Sequence, residues 1–159
     1  MDPSPVTAAG QAENPVKRSL RRIALICLAL LPTLGIFSVS LNYSFVNWDD
    51  GPYIFNNPLI KTLSVDHVVK MFKGEQSPTW HPLAWLSHAL DYKLYQLNPM
   101  GHHLTNLILH GLVTLCVFFL FVALLRLGSS KPMRESAVLP AGALAALLFG
   151  IHPLRVESV

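Results

Sequence analysis

Two long stretches of this 159-residue chain contain no Asp, Glu, Lys or Arg, and they limit its fold more than any other feature. The first runs from Ile23 to Leu41 and the second from Leu104 to Leu125. Each comes close to the roughly 20 apolar residues that a helix needs to cross the hydrocarbon core of a bilayer. Lipid offers the backbone no hydrogen-bond partners, so stretches of this kind are expected to be helical. A third run, Ala137 to Ile151, is shorter and contains Pro140. Tilt, local thinning of the bilayer or neighbouring helices would accommodate it as a span. Composition agrees, since only 13% of residues are charged against about 25% in ordinary soluble domains.

The basic residues cluster at the ends of these runs. Lys17, Arg18, Arg21 and Arg22 precede the first, while Arg126, Lys131 and Arg134 follow the second. Lys/Arg bias places such clusters on the cytoplasmic side, which puts residues 42–103 outside. Nucleic acid is not an expected partner, because no basic face with interleaved aromatics is present. Cys27 and Cys116 fall inside apolar runs and read as small buried hydrophobes rather than a disulfide framework.

The expected fold is therefore an all-α membrane protein with about three transmembrane helices. Residues 1–22 form a disordered, basic cytoplasmic tail, and 23–41 the first span. Residues 42–103 form an extracytoplasmic loop facing a periplasm or an endoplasmic reticulum lumen. The second span covers 104–125, a basic cytoplasmic loop 126–136, and the third span 137–151. Residues 152–159 begin a further outer loop. A cleaved signal peptide is the rival for the first run, but that run is long for a signal sequence and no Ala-x-Ala site follows. Three spans close poorly on themselves, so the chain is expected to be a fragment of something larger.

The outer loop holds all three Trp of the chain, Trp48, Trp80 and Trp85. Two short helices are expected in it. Ser64 starts one through Phe72, with Val65, Val68, Val69 and Phe72 on its apolar side. Leu83, Leu86, Leu90, Leu94 and Leu97 recur at spacings of three and four in the other, where Trp85, Tyr92 and Tyr95 suit a helix lying in the membrane interface.

Several residues in these segments carry possible chemistry. Asp49 and Asp50 sit just past the first run beside Trp48; a carboxylate in reach of a hydroxyl proton acts as a general base, and adjacent acids raise each other's proton affinity. The blander reading of Asp49-Asp50-Gly51-Pro52 is a turn. His102, Asn106 and His110 share a helical face at a spacing that zinc ligands use, set against packing or cavity lining by polar residues in a span. Trp80-His81 reads either as a binding pair or as an interfacial Trp with a helix cap. Arg155 offers a fork for two phosphate oxygens, against snorkelling to water or pairing with Glu157.

Taken together, Asn47-Trp48-Asp49-Asp50, Asn57-Pro58, Trp80-His81-Pro82-Leu83, Ser87-His88-Ala89-Leu90-Asp91-Tyr92, Leu97 through Leu107 and His152 through Ser158 make a set. In this order it resembles the N-terminal part of the transmembrane and tetratricopeptide-repeat (TMTC-like) glycosyltransferases, over about residues 23–159. Those proteins belong to the GT-C class, related to the protein O-mannosyltransferases. The resemblance implies a partial GT-C fold within a multi-pass enzyme. Such an enzyme moves a mannose-like sugar from a polyprenyl-phosphate donor to Ser/Thr hydroxyls of an acceptor protein, with membrane lipid as a further partner. It implies Asp49 and Asp50 as catalytic residues, and Trp80, His81, His102, His103, Arg155 and Glu157 as substrate-binding. No cofactor beyond the lipid-linked sugar is implied, no metal ligand is assigned, and a divalent metal is the less favoured alternative. The rival class is a catalytically inactive membrane fragment or scaffold whose outer loop binds a partner. A transporter fragment fits less well, because the spans lack broken helices and midplane charges.

Overall fold

The computed structural model describes residues 14–46, 48–74, 80–129 and 133–158, with side chains to residue 156. Among them there are helices and turns and no strand. Helix α1 spans Pro15–Phe37 and runs on through a 3-10 turn at Ser38–Asn42. A loop with short turns at Gly51–Phe55 and Pro58–Lys61 leads to α2, Val65–Lys73, and α3, Pro82–Tyr95. Helix α4 spans Pro99–Leu127 and α5 spans Glu135–Gly150, followed by a 3-10 turn at Pro153–Ser158.

The helix starts follow from local chemistry. Pro15, Pro82 and Pro99 each occupy a first-turn position, where the missing N–H costs nothing and the fixed φ suits the helix. The Asn14, Ser64 and Asn98 side chains accept hydrogen bonds from Val16, His67 and Met100 backbone N–H groups, satisfying donors that a helix start leaves without partners. Two expected boundaries move as a result. The tail expected to be disordered through residue 22 is helical from Pro15, because Asn14 and Pro15 start the helix there; residues 1–13 lie outside the described residues. The second apolar helix starts at Pro99 rather than 104, which draws His102 and His103 out of the loop and into its first turns.

Two helices, Pro15–Asn42 and Pro99–Leu127, are long and apolar enough to cross a membrane. With 16 residues, α5 is only about 24 Å long at 1.5 Å per residue, short of the ~30 Å hydrocarbon core. It nevertheless packs along both α1 and α4. The contact is built from small residues: Ala29 of α1 and Ala143 and Ala146 of α5 are buried with Phe118, Val122, Val138 and Leu139. Meanwhile Leu31, Ile108, Leu112, Phe119, Leu120 and Leu148 stand more than half exposed on the outside of the bundle. Alanines at the helix contacts and large apolar side chains exposed outside are expected where lipid is the solvent and helices associate by close van der Waals contact.

Polar groups inside the bundle are satisfied locally. The buried Thr33 and Thr114 hydroxyls donate to the Ala29 and His110 carbonyls at 2.8 and 2.9 Å, the back-bonding a buried Thr in a helix uses. His110 Nε2 lies 2.9 Å from the Gly150 carbonyl, one of the last carbonyls of α5, which have no partner within their own helix. At the other end of the bundle, Glu135 accepts from Arg22 at 3.3 Å and Arg126 at 2.5 Å, and Arg21 donates to the Ser136 carbonyl. Basic groups from the start of α1 and the end of α4 thus meet the start of α5 at one end.

The loop folds into a small second core at the opposite end. Ile54, Leu59, Ile60, Met71, Trp85 and Ala89 are buried there, flanked by Phe45, Tyr53 and Tyr92. Both loop helices form where the sequence places them. In α2 it is Met71 that is buried, while Val65, Val69 and Phe72 are exposed. In α3, Trp85, Ala89 and Asp91 are buried while Leu83, Leu90 and Leu94 are exposed. Trp85 is therefore core rather than an interfacial ring. The reason is size: one short helix buries its bulkiest ring in a small core and leaves its leucine stripe exposed.

Gly150 is a point of close approach in the bundle. A Cβ there would collide with Thr33 Oγ1 and come within 3.2 Å of Thr114 Cγ2. Gly150→Leu should lower the stability of the detergent-solubilised chain by about 1–3 kcal/mol, the usual cost of overpacking. Thermal unfolding followed by far-UV circular dichroism measures this, and an unchanged midpoint would contradict the close approach.

Candidate functional site

A cavity of about 520 Å³ opens where the bundle meets the loop. The end of α1 and its 3-10 turn supply Phe37 and Ser40, the loop supplies Tyr43 and Asp50, and α4 supplies His103 and Asn106. His103 and Asn106 face it together because they stand three apart on one helix. Val156, in the last turn, lies on its wall beside Arg155. The same two helices, α1 and α4, border a second space of about 390 Å³ lined only by apolar residues, among them Leu30, Leu34, Leu107 and Leu112.

The fold separates the two expected catalytic acids. Asp50 borders the cavity and is held there by a hydrogen bond from the Val46 backbone N–H to its Oδ2 at 2.7 Å. That bond draws the loop into a turn and leaves Oδ1 for other partners. Asp49 is exposed and is not among the cavity walls; its carbonyl accepts from the Tyr53 N–H at 3.0 Å. Both members of the doublet thus shape a turn, and of the two only Asp50 borders the cavity.

The expected substrate-binding residues divide as well. His103 is at the cavity. Trp80 and His81 are exposed at the start of α3 and are not among its walls. Trp80 instead donates its indole N–H to the Phe72 carbonyl at 2.8 Å, closing the α2–α3 connection, and His81 makes no side-chain capping bond. The Arg155 guanidinium lies over the Phe149 ring at 4.4 Å, and its Nε is buried with no hydrogen-bond partner. The Glu157 side chain lies outside the described residues.

His102 points away from the cavity. Its Nε2 lies 3.0 Å from the Gln96 carbonyl and its Nδ1 is 3.9 Å from Asp91 Oδ2. Asp91 is held in turn by the Thr105 hydroxyl, which donates to Oδ1 at 2.6 Å. His88 completes the group, and its ring nitrogen lies with the other two ligand atoms inside a 4.8 Å cluster. Burial, and then the neighbouring His102, hold His88 below its ordinary pKa of 6.5, outweighing the opposite pull of Asp91 and Asp50. His88 thus stays a neutral imidazole near pH 7. The helical face His102, Asn106, His110 does not converge on one point, because His110 is bonded to Gly150, set edge-on to Phe37 and stacked near Phe149. The signal in the sequence was His88-x-x-Asp91, one helical turn apart on α3; its third member comes from α4 and is invisible to spacing.

Gln96 connects these helices at a cost. Its φ of 56° with ψ of −128° is a conformation natural to glycine, and strain of this kind costs about 1–3 kcal/mol. The strained residue is the one whose carbonyl orients His102.

No family model matches the chain, and no solved structure matches it. Curated proteins do. It is 28% identical over 93% of its length to protein O-mannosyl-transferase Tmtc3 of Drosophila melanogaster, covering 17% of that protein. It is 37% identical over 56% of its length to protein O-mannosyl-transferase TMTC3 of Mus musculus, covering 8% of it. Against protein O-mannosyl-transferase F38B6.6 of Caenorhabditis elegans it is 26% identical over 86% of its length, covering 19% of that protein. The chain therefore spans less than a fifth of these relatives.

The Trp80 bond yields a direct test. Trp80→Phe should cost about 0.5–1.5 kcal/mol, the net worth of one hydrogen bond, in chemical unfolding of the solubilised chain. No loss would mean that the indole is not needed to close the α2–α3 connection. With helices and no strand among its described residues, and two helices long and apolar enough to cross a membrane, the chain is similar over up to 93% of its length to proteins named protein O-mannosyl-transferase, several of them of the TMTC name.

Proposed function

We propose that this chain forms the N-terminal part of a multi-pass membrane glycosyltransferase, which transfers a mannose-like sugar from a polyprenyl-phosphate donor to Ser or Thr hydroxyls of a protein. The observation that carries the reading is Asp50 together with His103 and Asn106 at a cavity between α1 and α4, the same two helices that border an apolar space. Supporting it, relatives in three animals are named protein O-mannosyl-transferases. In this reading α1 and α4 cross the membrane with their basic ends in the cytoplasm, and the loop with its cavity faces outward.

The chemistry follows from the parts. An acceptor hydroxyl attacking the sugar C1 loses a proton, and Asp50 takes it as general base, its Oδ2 already fixed by Val46 and its Oδ1 left to act. The bond from C1 to the phosphate oxygen breaks, and the phosphate departs as an anion that needs little acid assistance. Arg155, with a buried Nε lacking an acceptor, supplies a donor for a phosphate oxygen. The apolar space between Leu30, Leu34, Leu107 and Leu112 suits the first prenyl units of the carrier. Asp49, exposed and away from the cavity, serves the turn.

A chimera in which residues 14–158 replace the matching segment of a full-length relative tests the assignment by glycosyl transfer in membranes. Asp50→Asn should lower turnover by at least about 100-fold, the low end of a general base's contribution, while Asp49→Asn leaves turnover near wild type. Undiminished turnover in Asp50→Asn would discard the role. Arg155→Ala should raise the donor concentration needed for half-maximal rate; an unchanged donor dependence would remove Arg155 from the phosphate site.

A further inference from the structure

We propose that His88, Asp91 and His102 form a binding site for a divalent transition-metal ion of the zinc class, tying α3 to the first turns of α4. It lies apart from the walls of the Asp50 cavity.

The geometry carries the inference. A backbone carbonyl can only accept, so the 3.0 Å contact between His102 Nε2 and the Gln96 carbonyl places a proton on Nε2. In a neutral ring, Nδ1 is then a lone pair, and it faces Asp91 Oδ2 at 3.9 Å, acceptor to acceptor. Asp91 Oδ1 is already occupied by the Thr105 hydroxyl, so Oδ2 is the oxygen left to serve. Asp91 is 2% exposed and His102 3%, and the Nδ1 atoms of both His88 and His102 are buried with no hydrogen-bond partner. Buried polar atoms of native proteins are normally satisfied, and leaving several without partners at one point costs kilocalories each.

One proton does not resolve this. Placed on His102 Nδ1 it would face Asp91 across 3.9 Å, beyond a hydrogen bond, and His88 Nδ1 would still lack a partner. A cation at the centre serves all three groups together. The ligand atoms lie within 4.8 Å of one another. A tetrahedral shell with 2.0–2.1 Å bonds needs about 3.4 Å between ligands, so a closing movement of about an ångström completes it.

The donor set selects the ion. Two imidazoles and one carboxylate suit zinc and its first-row neighbours rather than calcium or magnesium, which take oxygen. The surroundings already orient the ligands in the way metal sites require: Gln96 fixes the His102 tautomer and Thr105 fixes Asp91. The strained backbone of Gln96 also has a purpose here, since it turns the carbonyl that sets His102 for the metal.

Cobalt uptake by the purified full chain in detergent micelles, stripped with chelator beforehand, tests the site without reference to glycosyl transfer. Stoichiometric Co²⁺ binding is expected, with visible absorption bands that Zn²⁺ displaces. His88→Gln should weaken the affinity by at least about 100-fold and Thr105→Val by about 10–100-fold, the range seen for outer-shell partners. His152→Gln, on an exposed residue elsewhere, should bind as wild type. Should His102→Ala fail to fold by circular dichroism, His88→Gln carries the test, since the His88 Nδ1 has no hydrogen-bond partner among the described residues. A folded wild-type chain that takes up no cobalt, or takes it up equally well without His88, overturns the proposal.

Discussion

The meeting of α1, α4 and α5 at Gly150 is the contact on which the rest of the structure depends. A glycine there lets the end of α5 come against Thr33 and Thr114, and its carbonyl then accepts from His110. Both facts serve one need: in a helix bundle surrounded by lipid, cohesion comes from close approach and from satisfied polar groups rather than from expulsion of water. The same contact sets how α1 and α4 lie against α5. Phe37 and Ser40 on one side, and His103 and Asn106 on the other, become cavity walls only because this contact holds the two helices in register.

The loop is coupled to that bundle through His102 and His103, adjacent residues on α4 that point different ways. His103 faces the cavity with Asp50, whereas His102 reaches toward α3 through Asp91 and His88. Phe45 packs against the His102 ring at 5.3 Å and the Phe55 ring at 5.1 Å, and Val46 beside it holds Asp50. A short chain of contacts thus leads from the proposed metal cluster to the proposed base. A change at His102 is therefore expected to be felt at Asp50 even though the two groups are built separately.

The sequence was legible where local chemistry decides the outcome. The two apolar helices, the capping by Ser64 and the helix after Pro82 all form as read, because hydrophobic length, cap residues and proline act over a few residues. It was less legible at the boundaries: Asn14 and Asn98 extend two helices beyond their apolar runs, since caps rather than hydropathy set helix ends. The residues that α2 and α3 bury were not legible for a related reason. Spacing marks an apolar stripe without saying what fills the loop core, and here Met71 and Trp85 fill it while the leucines of α3 stay exposed.

By itself the sequence determined that the chain is helical, that lipid is the solvent its long runs suit, and that Asp49, Asp50 and Arg155 deserve chemical scrutiny. Those conclusions rest on composition, period and adjacency, which a linear string records. Only the tertiary structure chose between the two acids, placing Asp50 at a cavity and Asp49 at the surface. Only it withdrew Trp80 and His81 from that cavity, and only it brought His102 to His88 and Asp91. Each of these is a contact between distant segments, fixed by how α3 and the loop dock on α4, and no spacing rule within one helix contains that information.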